Sequence, residues 1–205
     1  MFSLILAALL GYLVGSIPFA YLLVQWETKT DIRKEGSRNV GTLNSYVVSK
    51  SKRLALEVLV LDLCKGAAAV LLARLIFQVD FQHGAVGGLS SVVGHSYPVW
   101  LGFKGGRGLA PAAGVYFVLL PMIVPLWLLL WGAAFLLVRV VNPANAIASA
   151  VVLFGALLIP ASAWEWALRE AAPVLWVRGS VIVLMAIILT RHIGPVQEYF
   201  QRGSS

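Results

Sequence analysis

Long apolar stretches alternate with short polar ones along this chain, and their lengths predict membrane-spanning helices. A helix needs about 20 apolar residues to cross roughly 30 Å of hydrocarbon. Four stretches clearly meet that requirement, and they are 2–24, 54–78, 143–163 and 174–192. A fifth stretch, 85–101, resembles a span but contains several Gly and Ser residues and becomes irregular near Pro98.

The block from Leu109 to Val141 is apolar and too long for one crossing. At 1.5 Å per residue, a single helix of this length would run about 50 Å. Pro121 and Pro125 lie near its middle, where proline can break a helix. We therefore predict two short spans joined near these prolines, which gives seven transmembrane helices in total. One long kinked helix, which gives six, is the alternative.

Composition agrees with a membrane protein. Hydrophobic residues make up 60% of the 205 positions and charged residues 12%, with a mean hydropathy of +0.85. A soluble domain typically carries about 25% charged residues. We therefore predict an all-α polytopic membrane protein that forms a single integral domain over residues 1–205. The amino terminus has no basic region and no cleavage site, so it predicts a retained helix and not a signal peptide.

Lys and Arg are unevenly divided between the predicted loops. If the amino terminus lies outside, twelve of the sixteen are on the inner side and three (Arg74, Arg169 and Arg178) on the outer side. Because positive charge is enriched in cytoplasmic loops, this predicts an external amino terminus and a cytoplasmic carboxyl terminus. The six-helix alternative gives eleven against four, so charge does not decide the helix number.

Two segments on the predicted inner side carry candidate chemistry. The first is the run Gly36-Ser37-Arg38-Asn39-Val40-Gly41-Thr42-Leu43-Asn44, whose turn-forming residues can present backbone N–H groups to an anion. A plain basic connection between two helices is an equally good interpretation of this run from its composition.

The second segment is Gly94-His95-Ser96-Tyr97-Pro98 followed by Phe103-Lys104-Gly105-Gly106-Arg107-Gly108. Its glycines let the backbone approach a ligand closely, and Lys104 and Arg107 suit phosphate. A helix begins directly afterwards, so its positive end can face the same anion. The run lacks the P-loop pattern. We favour anion binding over a glycine turn flanked by surface cations.

Several residues allow more than one interpretation. Asp62 and Lys65 lie three apart in an apolar run, so we expect them to pair inside the bundle. His95 is either a general base or a structural donor. His83 has no evident partner in the sequence. The spacing of His and Asp does not indicate a histidine–aspartate dyad, and no pattern indicates a serine triad or a zinc site. We expect no metal, no cofactor and no nucleic-acid partner.

Five pieces of the sequence together resemble the bacterial glycerol-3-phosphate acyltransferase family that uses acyl phosphate as donor, the PlsY family. The pieces are Gly15-Ser16-Ile17-Pro18-Phe19, the run Gly36 to Asn44, Asp62-x-x-Lys65-Gly66, the segment Gly94 to Gly108, and Arg191-His192. They extend over nearly the whole chain, and the Gly94–Gly108 segment matches in both residue type and spacing.

The resemblance implies a seven-helix enzyme of the bacterial inner membrane with a cytoplasmic active site. Such an enzyme transfers an acyl group from acyl phosphate to the 1-hydroxyl of glycerol 3-phosphate. It implies catalytic roles for His95, Ser37 and Lys104. It also implies substrate-binding roles for a larger set, namely Arg38, Asn39, Gly41, Asn44, Gly105, Gly106, Arg107 and His192. The proton acceptor is either His95 or a phosphate oxygen of the substrate.

The chain departs from the family pattern at several positions. Arg38 stands where the family has glycine, Thr42 and Leu43 replace Ala-Thr, and Val47 lies where an arginine is expected. Arg107 replaces a lysine, and Pro195 replaces an asparagine. Two functions therefore follow from the sequence: an active acyltransferase, or a paralogue that binds phosphorylated ligands without catalysis. We hypothesise that the guanidinium of Arg38 replaces that of the arginine expected at position 47.

Overall fold

The computed structural model describes residues 1–77, 80–167 and 173–203, and within these ranges the chain is helical with no strand. The helices are α1 (Phe2–Ser16), α2 (Phe19–Thr28), α3 (Thr42–Ser49), α4 (Lys52–Phe77), α5 (Phe81–Ser96), α6 (Leu109–Leu119), α7 (Ile123–Val138), α8 (Val141–Leu158), α9 (Ala161–Ala167), α10 (Val174–Thr190) and α11 (Ile193–Gly203). A single 3₁₀ turn, Val99–Leu101, follows α5. The irregular end predicted for the fifth apolar stretch is thus confirmed.

The first predicted span is broken at Ile17 and Pro18, between α1 and α2. Pro18 cannot donate a backbone hydrogen bond, so the helical ladder is interrupted here. The carbonyl of Ile17 accepts instead a hydrogen bond from Lys65 Nζ on α4, at 2.8 Å. The break in the helix therefore leaves the carbonyl of Ile17 free to accept a hydrogen bond from the buried Lys65.

The long apolar block forms two helices, as predicted. α6 ends at Leu119 and α7 begins at Ile123, so the turn occupies 120–122 and includes Pro121. Pro125 lies in the first turn of α7, where its missing N–H costs no helical hydrogen bond. The alternative of one long kinked helix is not what the structure shows.

Length and apolarity alone qualify few of these helices as complete spans. Among the described residues, Phe2–Thr28 and α8 meet both criteria, and α10 with α11 makes a third if that bent pair is one span. α6 and α7 are apolar but shorter. Each of the seven predicted segments is mainly helical, the first as the two helices α1 and α2, and the described part of the bundle has no strand.

Glycines allow the helices that carry the site to approach closely. A Cβ on Gly11 or Gly15 of α1 would overlap the backbone of α5 at Gly87 or Ser91. α4 and α6 meet in the same way, because a Cβ on Gly66 would overlap the carbonyl of Pro111. The end of α5 and the start of α6 are thereby fixed relative to α1 and α4.

His83 was expected to have no partner, and this is wrong. It lies in the first turn of α5, where its Nδ1 is 2.8 Å from Asp80 Oδ1 and its Nε2 is 3.0 Å from Ser3 Oγ. Arg169, counted among the outer cations, lies outside the described residues.

Candidate functional site

The glycine-rich loop folds back onto the end of α5. The N–H of Gly105 donates to the carbonyl of Ser96 at 3.2 Å, and the N–H of Gly106 donates to the carbonyl of His95 at 3.1 Å. A Cβ on Gly106 would overlap His95 Nε2. Packing therefore explains the glycine at position 106, because any side chain there would displace the imidazole of His95. The amides of Gly105 and Gly106 already have acceptors, and their part in phosphate binding stays a prediction.

The two segments singled out in the sequence meet at Gly106. The carbonyl of Val40, from the first loop, would be 2.6 Å from a Cβ on Gly106. Val40 and His95 also line one small cleft together with Asp62 and Lys65. The two segments therefore lie at one place in the bundle.

Asn44 shapes the first loop from within. It is buried, its Oδ1 accepts from the N–H of Ser37 at 2.9 Å, and its Nδ2 donates to the carbonyls of Ile32 and Glu35 at 3.2 and 3.1 Å. Both amide hydrogens are thus used inside the protein. Asn44 therefore holds the loop in shape, and the substrate-binding role that the resemblance implied for it stays a prediction.

The remaining residues of the first motif surround this buried amide. Ser37 and Arg38 are exposed, and Asn39 is half-buried. Gly41 precedes α3, and a Cβ on it would be 3.0 Å from Asn39 Nδ2. Arg38 has a φ of 59°, in the left-handed region. Its side chain has no hydrogen bond or ion pair to any described residue, which leaves the guanidinium available to a ligand.

A buried ionic group lies beneath the loops. Lys65 Nζ is 2.8 Å from Asp62 Oδ1, which confirms the predicted pair. Asp62 Oδ1 is also 3.5 Å from His95 Nδ1. A histidine and an aspartate therefore do meet here, contrary to the sequence-based expectation. Spacing along the chain could not reveal this, because the two residues come from different helices, α4 and α5.

Arg191, at the end of α10, forms hydrogen bonds with the glycine-rich loop. Its Nε donates to the carbonyl of Gly106 and its Nη2 to that of Gly105, both at 3.2 Å. Its guanidinium also stacks over the ring of Tyr97, with 4.9 Å between Cζ and the centroid. The arrangement ties the last long helix to the loop beside His95.

Arg107 and His192 are held by two asparagines at the start of α8. Arg107 Nη1 donates to Asn142 Oδ1 at 2.6 Å, and Asn145 Nδ2 is 3.4 Å from His192 Nε2. His192 Nδ1 donates to the carbonyl of Ile188 at 2.8 Å. Sequence analysis missed both amides. The signal for them was a pair of polar residues, three apart, near the start of an apolar helix that follows Arg139.

Burial decides the charge state of this side of the site. It lowers the pKa of His192 to about 4, so the imidazole is neutral near pH 7. Burial, followed by the neighbouring Arg191, lowers the pKa of Arg107, which nevertheless stays charged at that pH. With the exposed Arg38 and Lys104, the loops form a positive surface suited to phosphate.

Comparison with known proteins decides the family. The family model described as glycerol-3-phosphate acyltransferase matches residues 5–202. A glycerol-3-phosphate acyltransferase of Myxococcus xanthus is 42% identical over 195 residues, which cover 95% of this chain and 94% of that protein. One from Allorhizobium ampelinum is 38% identical and covers 83% of this chain and 78% of its own. This chain belongs to the glycerol-3-phosphate acyltransferase family.

Solved structures of this acyltransferase family share the fold. Two crystal structures of PlsY, an integral membrane glycerol 3-phosphate acyltransferase, are each 31% identical to this chain. They cover 97% of it and 92% of their own chain, with TM-scores of 0.79 for the glycerol 3-phosphate form and 0.77 for the lysophosphatidic acid form. The resemblance seen in the sequence is confirmed, and the chain is an integral membrane acyltransferase of phospholipid synthesis.

Proposed function

We propose that Ser37, Arg38 and Asn39 on one loop and Lys104 and Arg107 on the other hold the phosphate groups of two substrates. The chain acylates glycerol 3-phosphate at its 1-hydroxyl and uses acyl phosphate as the donor. The products are 1-acylglycerol 3-phosphate and inorganic phosphate. Family membership supports the enzyme over the alternative of an inactive ligand-binding paralogue.

One observation carries the assignment of the site. The carbonyl of Val40 in the first loop and the imidazole of His95 both lie against Gly106, where a Cβ would overlap them. The exposed cations Arg38 and Lys104 are each only two residues away along the chain from this contact. Two phosphorylated substrates can therefore lie side by side at one junction, with the reacting groups next to each other.

The reaction needs positioning and charge stabilisation more than a covalent enzyme intermediate. The 1-hydroxyl oxygen attacks the acyl carbonyl carbon, a new ester C–O bond forms, and the C–O bond to the phosphate breaks. Negative charge grows on the departing phosphate, where Lys104 and Arg107 stabilise it. Holding the hydroxyl and the carbonyl in contact contributes several orders of magnitude in rate.

The proton of the attacking hydroxyl passes to one of two alternative acceptors, which are His95 Nε2 and an oxygen of a substrate phosphate. His95 Nδ1 faces the carboxylate of Asp62, which favours the tautomer with a proton on Nδ1 and a basic Nε2. If His95 accepts the proton, kcat/KM falls at low pH in the wild type. A His95→Gln variant would then lose that acidic limb, whereas acceptance by phosphate leaves the limb in place.

We also propose the arrangement in the membrane. Seven crossings are formed by α1 with α2, α4, α5, α6, α7, α8 and α10. The amino terminus is outside the inner membrane of a bacterium and the carboxyl terminus is in the cytoplasm. The distribution of Lys and Arg supports this orientation, because both substrate loops and their cations then lie on the inner side.

Phosphate release from purified protein in lipid nanodiscs tests the function. We expect turnover only when acyl phosphate and glycerol 3-phosphate are both present. Lys104→Ala should lower kcat/KM by at least about a hundredfold, because a donor to the developing charge is lost. Lys34→Ala removes an exposed lysine from the same side of the membrane and should leave activity intact. Binding of both substrates without turnover would instead support the paralogue.

A further inference from the structure

Two of the sequence motifs meet beneath the candidate active site, away from the proposed phosphate contacts. They are Gly15-Ser16-Ile17-Pro18-Phe19, at the break between α1 and α2, and Asp62-x-x-Lys65-Gly66 on α4. The side chains of Asp62 and Lys65 are only 2% and 3% exposed. Charges inside a membrane protein are costly, and apolar residues of similar size often pack as stably as a buried ion pair. Stability alone therefore does not account for this pair.

The break in the first span holds the ammonium group of Lys65. Lys65 Nζ donates to the carbonyl of Ile17 at 2.8 Å and lies over the ring of Phe19, 5.6 Å from its centroid. The same nitrogen is 2.8 Å from Asp62 Oδ1. The ammonium is thus fixed by partners from two segments of the chain, and it balances the negative charge of Asp62 inside the bundle.

The imidazole of His95 lies between this pair and the junction of the two loops. Its Nδ1 is 3.5 Å from Asp62 Oδ1, and its Nε2 lies against Gly106, where a Cβ would overlap it. The carbonyl of Val40 lies against the same glycine. One ring nitrogen therefore faces the buried pair, and the other faces the place where we propose that the substrates react.

Asp62 is the carboxylate that faces this imidazole among the described residues. Of the other helices that pack against α5, α1 and α6 have no charged side chain. α10 brings Arg191 near, but a guanidinium has no acceptor atom for a proton on the ring. A proton on Nδ1 of His95 therefore has its acceptor in Asp62.

We propose that Asp62 and Lys65 are positioning residues for His95. Lys65, held at the break in the first span, fixes the carboxylate of Asp62. Asp62 in turn keeps the proton of the neutral imidazole on Nδ1, so that Nε2 accepts a hydrogen bond or a proton from the acceptor hydroxyl. The inference rests on the proposed function and gives two otherwise unassigned motifs one role in it.

Nitrogen NMR of the protein in nanodiscs, labelled with ¹⁵N-histidine, locates this proton without any substrate. The chain has three histidines, and a His95→Gln sample identifies the signals of His95. We expect a protonated Nδ1 and an unprotonated Nε2 in the wild type at neutral pH. The opposite tautomer would overturn the proposal, whether or not the chain is an acyltransferase.

Asp62→Leu combined with Lys65→Met tests the effect on catalysis. Leu has the same branching as Asp, Met has nearly the length of Lys, and no charge of the pair is left unpartnered. We expect an unfolding temperature close to that of the wild type and a kcat about a hundredfold lower. The KM for glycerol 3-phosphate should stay within about twofold, because neither residue touches substrate. His95 should also lose its preference for one tautomer.

Asp80 and His83, at the other end of α5, provide the matched control. They are also three residues apart, and His83 Nδ1 is 2.8 Å from Asp80 Oδ1. Asp80→Asn combined with His83→Gln removes this second pair and should leave kcat unchanged. A fall in kcat equal to that of the first double variant would contradict a specific role for Asp62 and Lys65.

The outcomes separate this inference from the proposed function. If the Asp62/Lys65 double variant keeps the wild-type kcat and tautomer, the pair only packs the bundle and the positioning role is overturned. If that variant does not fold, the tautomer of the wild type decides. If the wild type has the expected tautomer but does not turn over acyl phosphate with glycerol 3-phosphate, the proposed function is refuted while the orientation of His95 by the pair still holds.

Discussion

Arg38 occupies a backbone conformation that favours glycine, with its guanidinium exposed beside the junction of the two loops. A non-glycine residue at positive φ costs roughly 1 kcal/mol or more. The resemblance indicates that relatives carry glycine here and an arginine at the position of Val47. Val47 packs beside Gly36, at 3.2 Å from a Cβ built there, so both positions belong to one loop. The exposed guanidinium beside the junction supports the binding role that we propose for Arg38.

We expect Arg38→Gly to raise stability by at most about 1 kcal/mol, because the strain disappears while glycine adds backbone freedom to the unfolded chain. The KM for glycerol 3-phosphate should rise at least about tenfold, because a charged hydrogen bond is lost. Thermal unfolding in detergent and initial rates over a range of glycerol 3-phosphate concentrations measure the two effects.

Lys50→Gly is the control for this strain. Lys50 has a φ of 57° at the end of α3, so glycine should relieve the same cost there without altering KM. Adding Val47→Arg to Arg38→Gly should restore part of the lost affinity. An unchanged KM in Arg38→Gly would rule out a role for this guanidinium.

Gly106 gives a second prediction at this scale. A methyl group there would push against His95 Nε2 and the carbonyl of Val40, so Gly106→Ala should lower kcat/KM by about two orders of magnitude. Gly132→Ala, at a helical position with open space around it, should retain activity and gain a few tenths of a kcal/mol. A fully active Gly106→Ala would show that this packing is not needed for catalysis.

Residue roles were only partly predictable from the sequence. The residue types of Lys104, Arg107 and His95 indicated an anion site because cations, glycines and a histidine cluster along the chain. The buried role of Asn44 was hidden, because its partners Ile32 and Glu35 are defined only when the loop closes. The contact of Asp62 with His95 was hidden for the same reason, since α4 and α5 bring them together.

At the scale of elements, α10 connects the candidate site to the opposite end of the bundle through two arginines. Arg191 donates to the carbonyls of Gly105 and Gly106, and Arg178 donates to those of Ala156 and Leu157. The two side chains make the same kind of contact, a guanidinium fork on consecutive carbonyls. Only Arg191 touches the glycine loop.

We expect Arg191→Lys to lower kcat/KM about tenfold or more, because an ammonium cannot bridge both carbonyls and the loop beside His95 loosens. Arg178→Lys removes an equivalent fork and should affect thermal unfolding but not kcat/KM. Phosphate release and unfolding temperature, measured on both variants, separate the two effects. Equal kinetic losses in the two variants would argue against a specific role for Arg191.

Helices were the most predictable elements. Apolar length located all of the long ones, and Pro121 located the turn between α6 and α7. α3 was missed because its eight residues have no long apolar run, and the break at Ile17 was missed because the first apolar stretch continues through Pro18. Both depend on tertiary contacts, with Lys65 capping the break.

At the scale of the whole molecule, the proposed seven crossings can be tested by labelling. In a Cys64→Ser background, single cysteines at Lys34, Gln82 and Arg139 are treated with a membrane-impermeant maleimide in intact spheroplasts. Only Gln82→Cys should react, and all three should react after lysis. Labelling of Arg139→Cys in intact spheroplasts would favour six crossings. Labelling of Lys34→Cys would show that the orientation in the membrane is opposite to the one proposed.

The occupied amides of Gly105 and Gly106 have a consequence for how the enzyme recognises phosphate. A cradle of fixed backbone dipoles would select by shape and would be little affected by dissolved ions. The two amides are committed to α5, so in the site that we propose, recognition falls on long, charged side chains whose fields weaken within about 8 Å at physiological ionic strength. Capture of the acceptor should therefore weaken as salt rises, and simple inorganic anions should compete for its place.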